Sequence, residues 1–375
     1  MRILYVINHL LPGGAETLAR DLILQLRRRG VDVDLFILSS TSSFIEREIR
    51  ESGVAVAQSF GFRARKRAEV EAQVYAPVHP LTLSRQLAKR RYDLMHVNLF
   101  PAQLYSALAM RLSGRMLRMV TTEHSTRNRR RVVGFRSIDR WTYKHYSRIA
   151  CVSSAALSGL RNWIPELDPR LLLIQNGIDL DRFSGAAPLR KEDVIAASGP
   201  VILCVGRLDY QKGQDIVLRA LKDHPTLNAV FVGEGPFLKA LSRLARDLAI
   251  ERRVHFLGPR NDIARLLKMS DLYVQPSRVE GFGLATIEAM TAGVPVIAAR
   301  VPGLAEVVAD AALSFEAENS GDLSAAISLL LRDREKCATL VVKGREQARS
   351  FSLERVVSNY LDLYRDVTAA NSGKA

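Results

Sequence analysis

The feature that most limits the fold is a repeated alternation. Eleven short apolar runs, each closing in polar residues or glycine, are separated by stretches of helical spacing. Such alternation demands parallel strands with crossover helices, because a parallel neighbour is reached only by returning across the sheet. "RILYVIN", "VDVDLFILS", "YDLMHVN", "RMVTTEH" and "RIACVSS" form a first series. "VILCVGRL", "NAVFVGEG", "RVHFLG", "DLYVQPS", "VPVIAAR" and "AALSFEA" form a second. Between them "GAAPLRKEDVIAASGP" reads as a linker near 184–199. A chain of 375 residues is long for one domain and comfortable for two. The expectation is an α/β protein with two Rossmann-like, doubly wound parallel-sheet domains, 1–185 and 186–350, facing across a cleft. A helical close follows from about 322 to 370, its last part, 351–375, packing back toward the first domain. Segment 59–80 holds two prolines and reads as a loop or mobile insertion.

Charge divides unevenly between the halves. Residues 1–185 carry 29 Lys+Arg against 16 Asp+Glu, a net of +13; residues 186–375 carry 25 against 23, a net of +2. The excess gathers in "FRARKR" (62–67), "KRR" (89–91) and "RNRRR" (127–131). A field of that sign attracts phosphate-bearing partners or an anionic membrane, or it is ordinary solvated surface. No apolar run approaches the ~18–20 residues that span a bilayer. The opening "MRILYVINH" is too short for a secretory signal and reads as a buried strand. Cys151, Cys204 and Cys337 have no metal or disulfide spacing. A cytoplasmic protein is expected.

Candidate chemistry concentrates in "RVEGFGLATIEAM", from Arg278 to Met290. Glu280 and Glu288 flank a Gly-Phe-Gly turn that follows one strand and opens a helix. The free N–H groups and dipole of a helix N-terminus favour an anion, and glycine lets a ligand approach the backbone. Glu288 lies one turn into the helix, where its side chain leans back toward the same end. A ligand with both phosphate and vicinal hydroxyls would use all of these. "VGRLDYQKG" sets Arg207 and Lys212 after another strand, as a diphosphate requires. "NHLLPGGAE" sets Gly13 and Gly14 between the first strand and first helix, as a phosphate turn or simply a tight one.

In this order and spacing the segments "EGFGLATIE", "GRLDYQKG", "NGID" and "LLPGGAE" resemble retaining glycosyltransferases of family 4, which have the GT-B fold. The resemblance covers essentially the whole chain. It implies that Arg207 and Lys212 hold the donor diphosphate and stabilise the departing nucleotide, and that Glu288 binds the ribose. It sets Glu280 beside the transferred sugar, with the backbone of Gly281, Phe282, Gly283 and Leu284 near sugar hydroxyls and phosphate. It also implies roles for His124 beside the donor sugar, Arg260 near the base, and Gly13 and Gly14 between donor and acceptor. Asn176 matches less firmly. The implied donor is a nucleotide-sugar, UDP before GDP. The implied acceptor is lipid-linked or a glycan, in surface polysaccharide, lipopolysaccharide or glycolipid assembly. No cofactor or metal is expected, although "DVD" (32–34) and "DLD" (179–181) are Asp-x-Asp strings.

Other readings fit less well. A dinucleotide oxidoreductase would need Gly-x-Gly-x-x-Gly where "LPGGAE" stands, and an acid where "FILSS" ends the second strand. A sugar-nucleotide epimerase shares the architecture but needs no acceptor surface. A nucleic-acid-binding protein would interleave aromatics with its cations, and "RNRRRVVGFR" has only Phe135. His9, His96 and His124 all sit near strand ends, where packing and ligand contact compete. "PAQLYSALAMRLSG" and "PLTLSRQLAKRR" could lie on an anionic membrane, peripheral to its inner face, or be core helices.

Overall fold

Every apolar run named above is a strand in the computed structural model, which describes residues 1–64, 66–125, 132–196 and 198–369. The first series comprises β1 (Arg2–Ile7), β2 (Asp32–Ile37), β3 (Val56–Gln58), β4 (Leu94–Asn98), β5 (Arg118–Glu123), β6 (Arg148–Cys151) and β7 (Leu171–Leu173). The second comprises β8 (Val201–Val205), β9 (Asn228–Val232), β10 (Val254–Phe256), β11 (Leu272–Gln275), β12 (Val296–Ala299) and β13 (Leu313–Phe315). The strand orders are β3-β2-β1-β4-β5-β6-β7 and β10-β9-β8-β11-β12-β13. All pairings are parallel. Both are the doubly wound parallel sheets that the alternation in the sequence predicts. The strands β3 and β7, three residues each, are both sheet edges. Neither is among the runs named above, although residues 171–174, "LLLI", are wholly apolar.

Local signals account for the helices. In Gly14–Arg28, Leu18, Leu22, Ile23 and Leu26 recur on one face and are buried. Arg27 and Arg28 occupy its last turn, and Gly30, at φ +79°, ends it. Segment 59–80 is more regular than expected. It contains the helix Arg67–Val74, and a second helix begins at His79. Val70 and Val74, one turn apart, pack with Ala64 and Leu11.

Of the described residues, those in 1–176 and 353–369 form one compact unit, and those in 177–352 the other. The last helix, Leu353–Ala369, belongs to the first unit, where Tyr360 and Tyr364 pack on His96. The linker-like segment 184–199 lies inside the second unit. The Leu189 N–H donates to the Arg265 carbonyl, and Lys191 pairs with Asp271 at 2.6 Å. The chain changes unit at Asn176 and Gly177 instead, because helix Leu180–Ser184 already packs on the helices Ile263–Met269 and Leu284–Ala292. Among the described residues no helix is long and apolar enough to cross a membrane. Cys151 and Cys204 are buried free thiols and Cys337 is half-buried.

Candidate active site

In the second unit two strand-end loops interlock. After β8 the chain runs through Arg207 and Asp209 into a single tight turn, Tyr210–Lys212. Asp209 caps that turn by accepting from the Lys212 N–H at 3.1 Å, and it also pairs with the Arg207 guanidinium. Gly213 follows at φ +67°, and a Cβ there would lie 2.1 Å from the Pro276 carbonyl oxygen. Only glycine permits that approach, so the β8 loop can close on the loop after β11. Arg278 completes the junction. It donates to both Asp215 oxygens at 2.8 Å and lies 4.2 Å over the Tyr210 ring.

Glu280 is the meeting point. Lys212 Nζ lies 2.6 Å from Glu280 Oε2, which also accepts from Ser277 Oγ at 3.0 Å and Gln275 Nε2 at 3.3 Å. The Gly281 N–H donates to Oε1 at 3.2 Å. Tyr273, beneath, donates to Gln275 Oε1. Burial, then Cys204, then Glu288 and Glu280, raise its pKa well above the ordinary phenol value, so it stays a donor. Glu288 is half-buried in helix Leu284–Ala292, whose N-cap is Gly283 in the left-handed region. The Phe282 ring points into the core against Phe351, leaving only its backbone to the turn. Arg260 stands elsewhere. It follows the edge strand β10 and is held by Asp262 at 2.6 Å.

In the first unit the polar groups again gather at strand ends. His124 follows β5, and its Nε2 lies 3.0 Å from Asn98 Oδ1 at the end of β4. Burial lowers its pKa to about 4 despite the nearby Glu123. The ring is neutral at pH 7, and with Nε2–H donated to Asn98 its Nδ1 remains an acceptor. His96 is a core residue: fully buried, with Nδ1 2.6 Å from the Tyr364 hydroxyl and Nε2 2.8 Å from Thr122 Oγ1. Gly13 has φ −171°, open to any residue, but a Cβ there would lie 2.4 Å from Glu16 Oε2. The Glu16 carboxylate thus folds back over the start of the Gly14–Arg28 helix, with Oε1 3.6 Å from His9 Nδ1. The chain places its own anion where a phosphate turn was one reading of "LLPGGAE". The Asp-x-Asp acids have structural partners: Asp32 pairs with Arg2, Asp34 with Arg90, and Asp179 caps the helix Leu180–Ser184. Among the described residues no three His, Cys, Asp or Glu side chains group as metal ligands.

The profile described as "Glycosyltransferase Family 4" matches residues 12–182, and "Glycosyl transferases group 1" matches 187–347. The chain belongs to glycosyltransferase family 4. This transferase is 29% identical over 310 residues to N-acetyl-alpha-D-glucosaminyl L-malate synthase of Bacillus anthracis, covering 78% of this chain and 80% of that one. It is 28% identical over 382 residues to D-inositol 3-phosphate glycosyltransferase of Geodermatophilus obscurus, covering 94% and 84%. Among solved structures, Anabaena HepE in complex with UDP and glucose matches with a TM-score of 0.82 at 22% identity, covering 98% of this chain and all of that one.

The transferase thus brings Lys212, Glu280, Arg207 and the Gly283 turn together in its second unit, with His124 and Gly13 in its first. Sequence reasoning missed Asp209, Gln275, Ser277, Arg278 and Asp215. "DYQKGQD" and "QPSRVEG" contain them, but the Arg278–Asp215 pairing crosses two loops and no spacing within one segment announces it.

Proposed function

We propose that this transferase moves a hexosyl group from a nucleoside-diphosphate sugar, UDP-linked before GDP-linked, to a hydroxyl of a lipid-linked or glycan acceptor during surface-polysaccharide or glycolipid assembly. One observation carries the reading. Lys212 and Glu280 form an ion pair at 2.6 Å across two strand-end loops, beside a helix N-terminus capped by glycine. A diphosphate arriving there takes Lys212 and Arg207 from their carboxylates, and the helix N–H groups add fixed positive charge. Glu280, released, turns to the sugar hydroxyls, and Glu288 accepts from the ribose.

The C1–oxygen bond to the β-phosphate breaks as the acceptor oxygen bonds C1 on the same face, with retention. The acceptor proton goes to the departing phosphate, whose charge Lys212, Arg207 and the helix N-terminus neutralise in place of a metal. His124, neutral, accepts a hydrogen bond from a sugar hydroxyl. Arg260 lies toward the base. The UDP and glucose bound by HepE support the donor class. Malate and inositol 3-phosphate, for which the two relatives are named, are anionic, and a first half of net +13 suits an acceptor of that sign. Peripheral attachment to the inner face of a membrane follows from the same charge.

The test is a thermal-shift panel of UDP, GDP, ADP and their sugar conjugates, in EDTA and again in magnesium. At 100 times its dissociation constant a ligand adds about 2.7 kcal/mol. One diphosphate stabilising the protein equally in EDTA upholds the reading. A shift that requires magnesium overturns its metal-independent part, and no shift with any nucleotide overturns the donor site.

A further inference from the structure

Among the described residues, several large apolar side chains stand exposed near the edge of the first sheet. Phe62 is 65% exposed and Tyr75 62%, with Val78 and Leu81 also open to solvent. They are not scattered. The Phe60 ring lies 5.8 Å from Phe62 and meets the buried His79 edge-on at 5.6 Å. His79 in turn lies 5.1 Å from Tyr105, and Tyr75, Val78 and Leu81 stand within four residues of His79 in the chain. His79 ties the base of the cluster. Its ring nitrogens lie 2.7 Å from Ser59 Oγ and 2.6 Å from the Gln73 carbonyl oxygen. A rigid foundation thus presents large apolar side chains outward, which a chain bathed only in water gains nothing by doing.

The surroundings are cationic. From 59 to 91 the sequence holds eight Lys+Arg (63, 65, 66, 67, 85, 89, 90, 91) against two acids (69, 71). Arg63, Lys66 and Arg85 are exposed. The two helices considered from sequence as interfacial, His79–Lys89 and Ala102–Ser113, pack on each other. Their stripes Leu83, Leu87, Ala102 and Ala107 are core, so a membrane face has to be made by side chains outside those stripes, Leu81 and Arg85 of the first helix among them. The exposed cluster supplies it. It begins just past the carboxyl end of β3, the sheet end at which His124 and Gly13 also stand.

We propose that Phe62, Tyr75, Val78 and Leu81, framed by Arg63, Lys66 and Arg85, insert into an anionic lipid bilayer. The apolar tips enter the boundary of the acyl chains while the cations meet lipid phosphates. This rests on the proposed reading of a lipid-linked acceptor, since it brings the acceptor end of the first sheet to the bilayer.

The experiment is co-flotation of the full chain with vesicles of phosphatidylcholine alone or of phosphatidylcholine with phosphatidylglycerol. Binding is expected only to the mixed vesicles, weakening as sodium chloride rises. Phe62→Ser with Tyr75→Ser is expected to weaken it about tenfold or more. The nucleotide thermal shift of that variant, unchanged, reports that it is folded. In a separate Phe62→Trp variant the added emission is expected to move to the blue on mixed vesicles. No binding, or binding that the double variant leaves intact, overturns the proposal. So does a raised KM for a soluble glycan acceptor with unaltered flotation, which makes the cluster a sugar platform. A wild-type protein that floats but shows no nucleotide shift instead fails the donor reading, so the two failures are separable.

Discussion

Lys212 Nζ sits 2.6 Å from Glu280 Oε2, joining two loops 68 residues apart in the chain. Arg207 is likewise paired with Asp209. The cations proposed to hold a diphosphate are thus held in waiting by carboxylates, which keeps their side chains ordered and limits the reorganisation that binding requires.

Lys212→Ala is expected to lower kcat/KM by about 10²-fold, because a fixed charge beside the departing phosphate is lost. Glu280→Gln keeps the shape and the Ser277 contact but loses the charge, and is expected to lower kcat. Initial rates with labelled donor measure both. Wild-type-like rates would remove these residues from the site.

Glu288→Ala is expected to weaken the donor by about 10²-fold with little change in melting temperature, since a half-buried helix carboxylate is lost together with its ligand hydrogen bonds. Titration calorimetry with the free diphosphate, set against thermal melting, tells loss of binding from loss of fold.

Gly213→Ala is expected to cost at least about 2 kcal/mol, since it combines a left-handed backbone with a collision at the Pro276 carbonyl. Denaturant melts measure it. Donor affinity is expected to fall with it, because the collision separates the loops bearing Lys212 and Glu280. An unchanged midpoint would refute the close approach.

Acid is expected to destabilise the first unit. Burial lowers the pKa of His96 from 6.5 to about 3. The folded state therefore holds the ring neutral while the unfolded chain takes up a proton below pH 6.5. The stabilisation is full above 6.5, and is lost progressively as pH falls toward 3. At pH 5 the loss is about 2 kcal/mol for this residue. His124, lowered to about 4, acts in the same direction. Denaturant unfolding at pH 7 and pH 5 measures the difference, and His96→Gln is expected to shrink it.

Strands with long apolar runs were legible in the sequence because burial on both faces writes itself into composition. The three-residue edge strand β3 was not, and β7 is an apolar "LLL" whose place at the sheet edge only its pairing with β6 reveals. The helix Arg67–Val74 was masked by charge, since its core contact is only Val70 and Val74. Of the candidate site, the residues within "EGFG" and "GRLDYQKG" could be read, as strand-end loops carry their chemistry locally. Arg278 and Asp215, which clasp those loops, could not.

By itself the sequence determined the two parallel sheets, the ends of their strands and the residue types waiting there, because periodicity and glycine placement are local properties. Tertiary structure alone decided which of those residues meet. It paired Lys212 with Glu280, buried His96 under Tyr364, and left Phe62 and Tyr75 exposed. Each depends on the register of strands distant in the chain, and a contact between distant segments leaves no period in either of them.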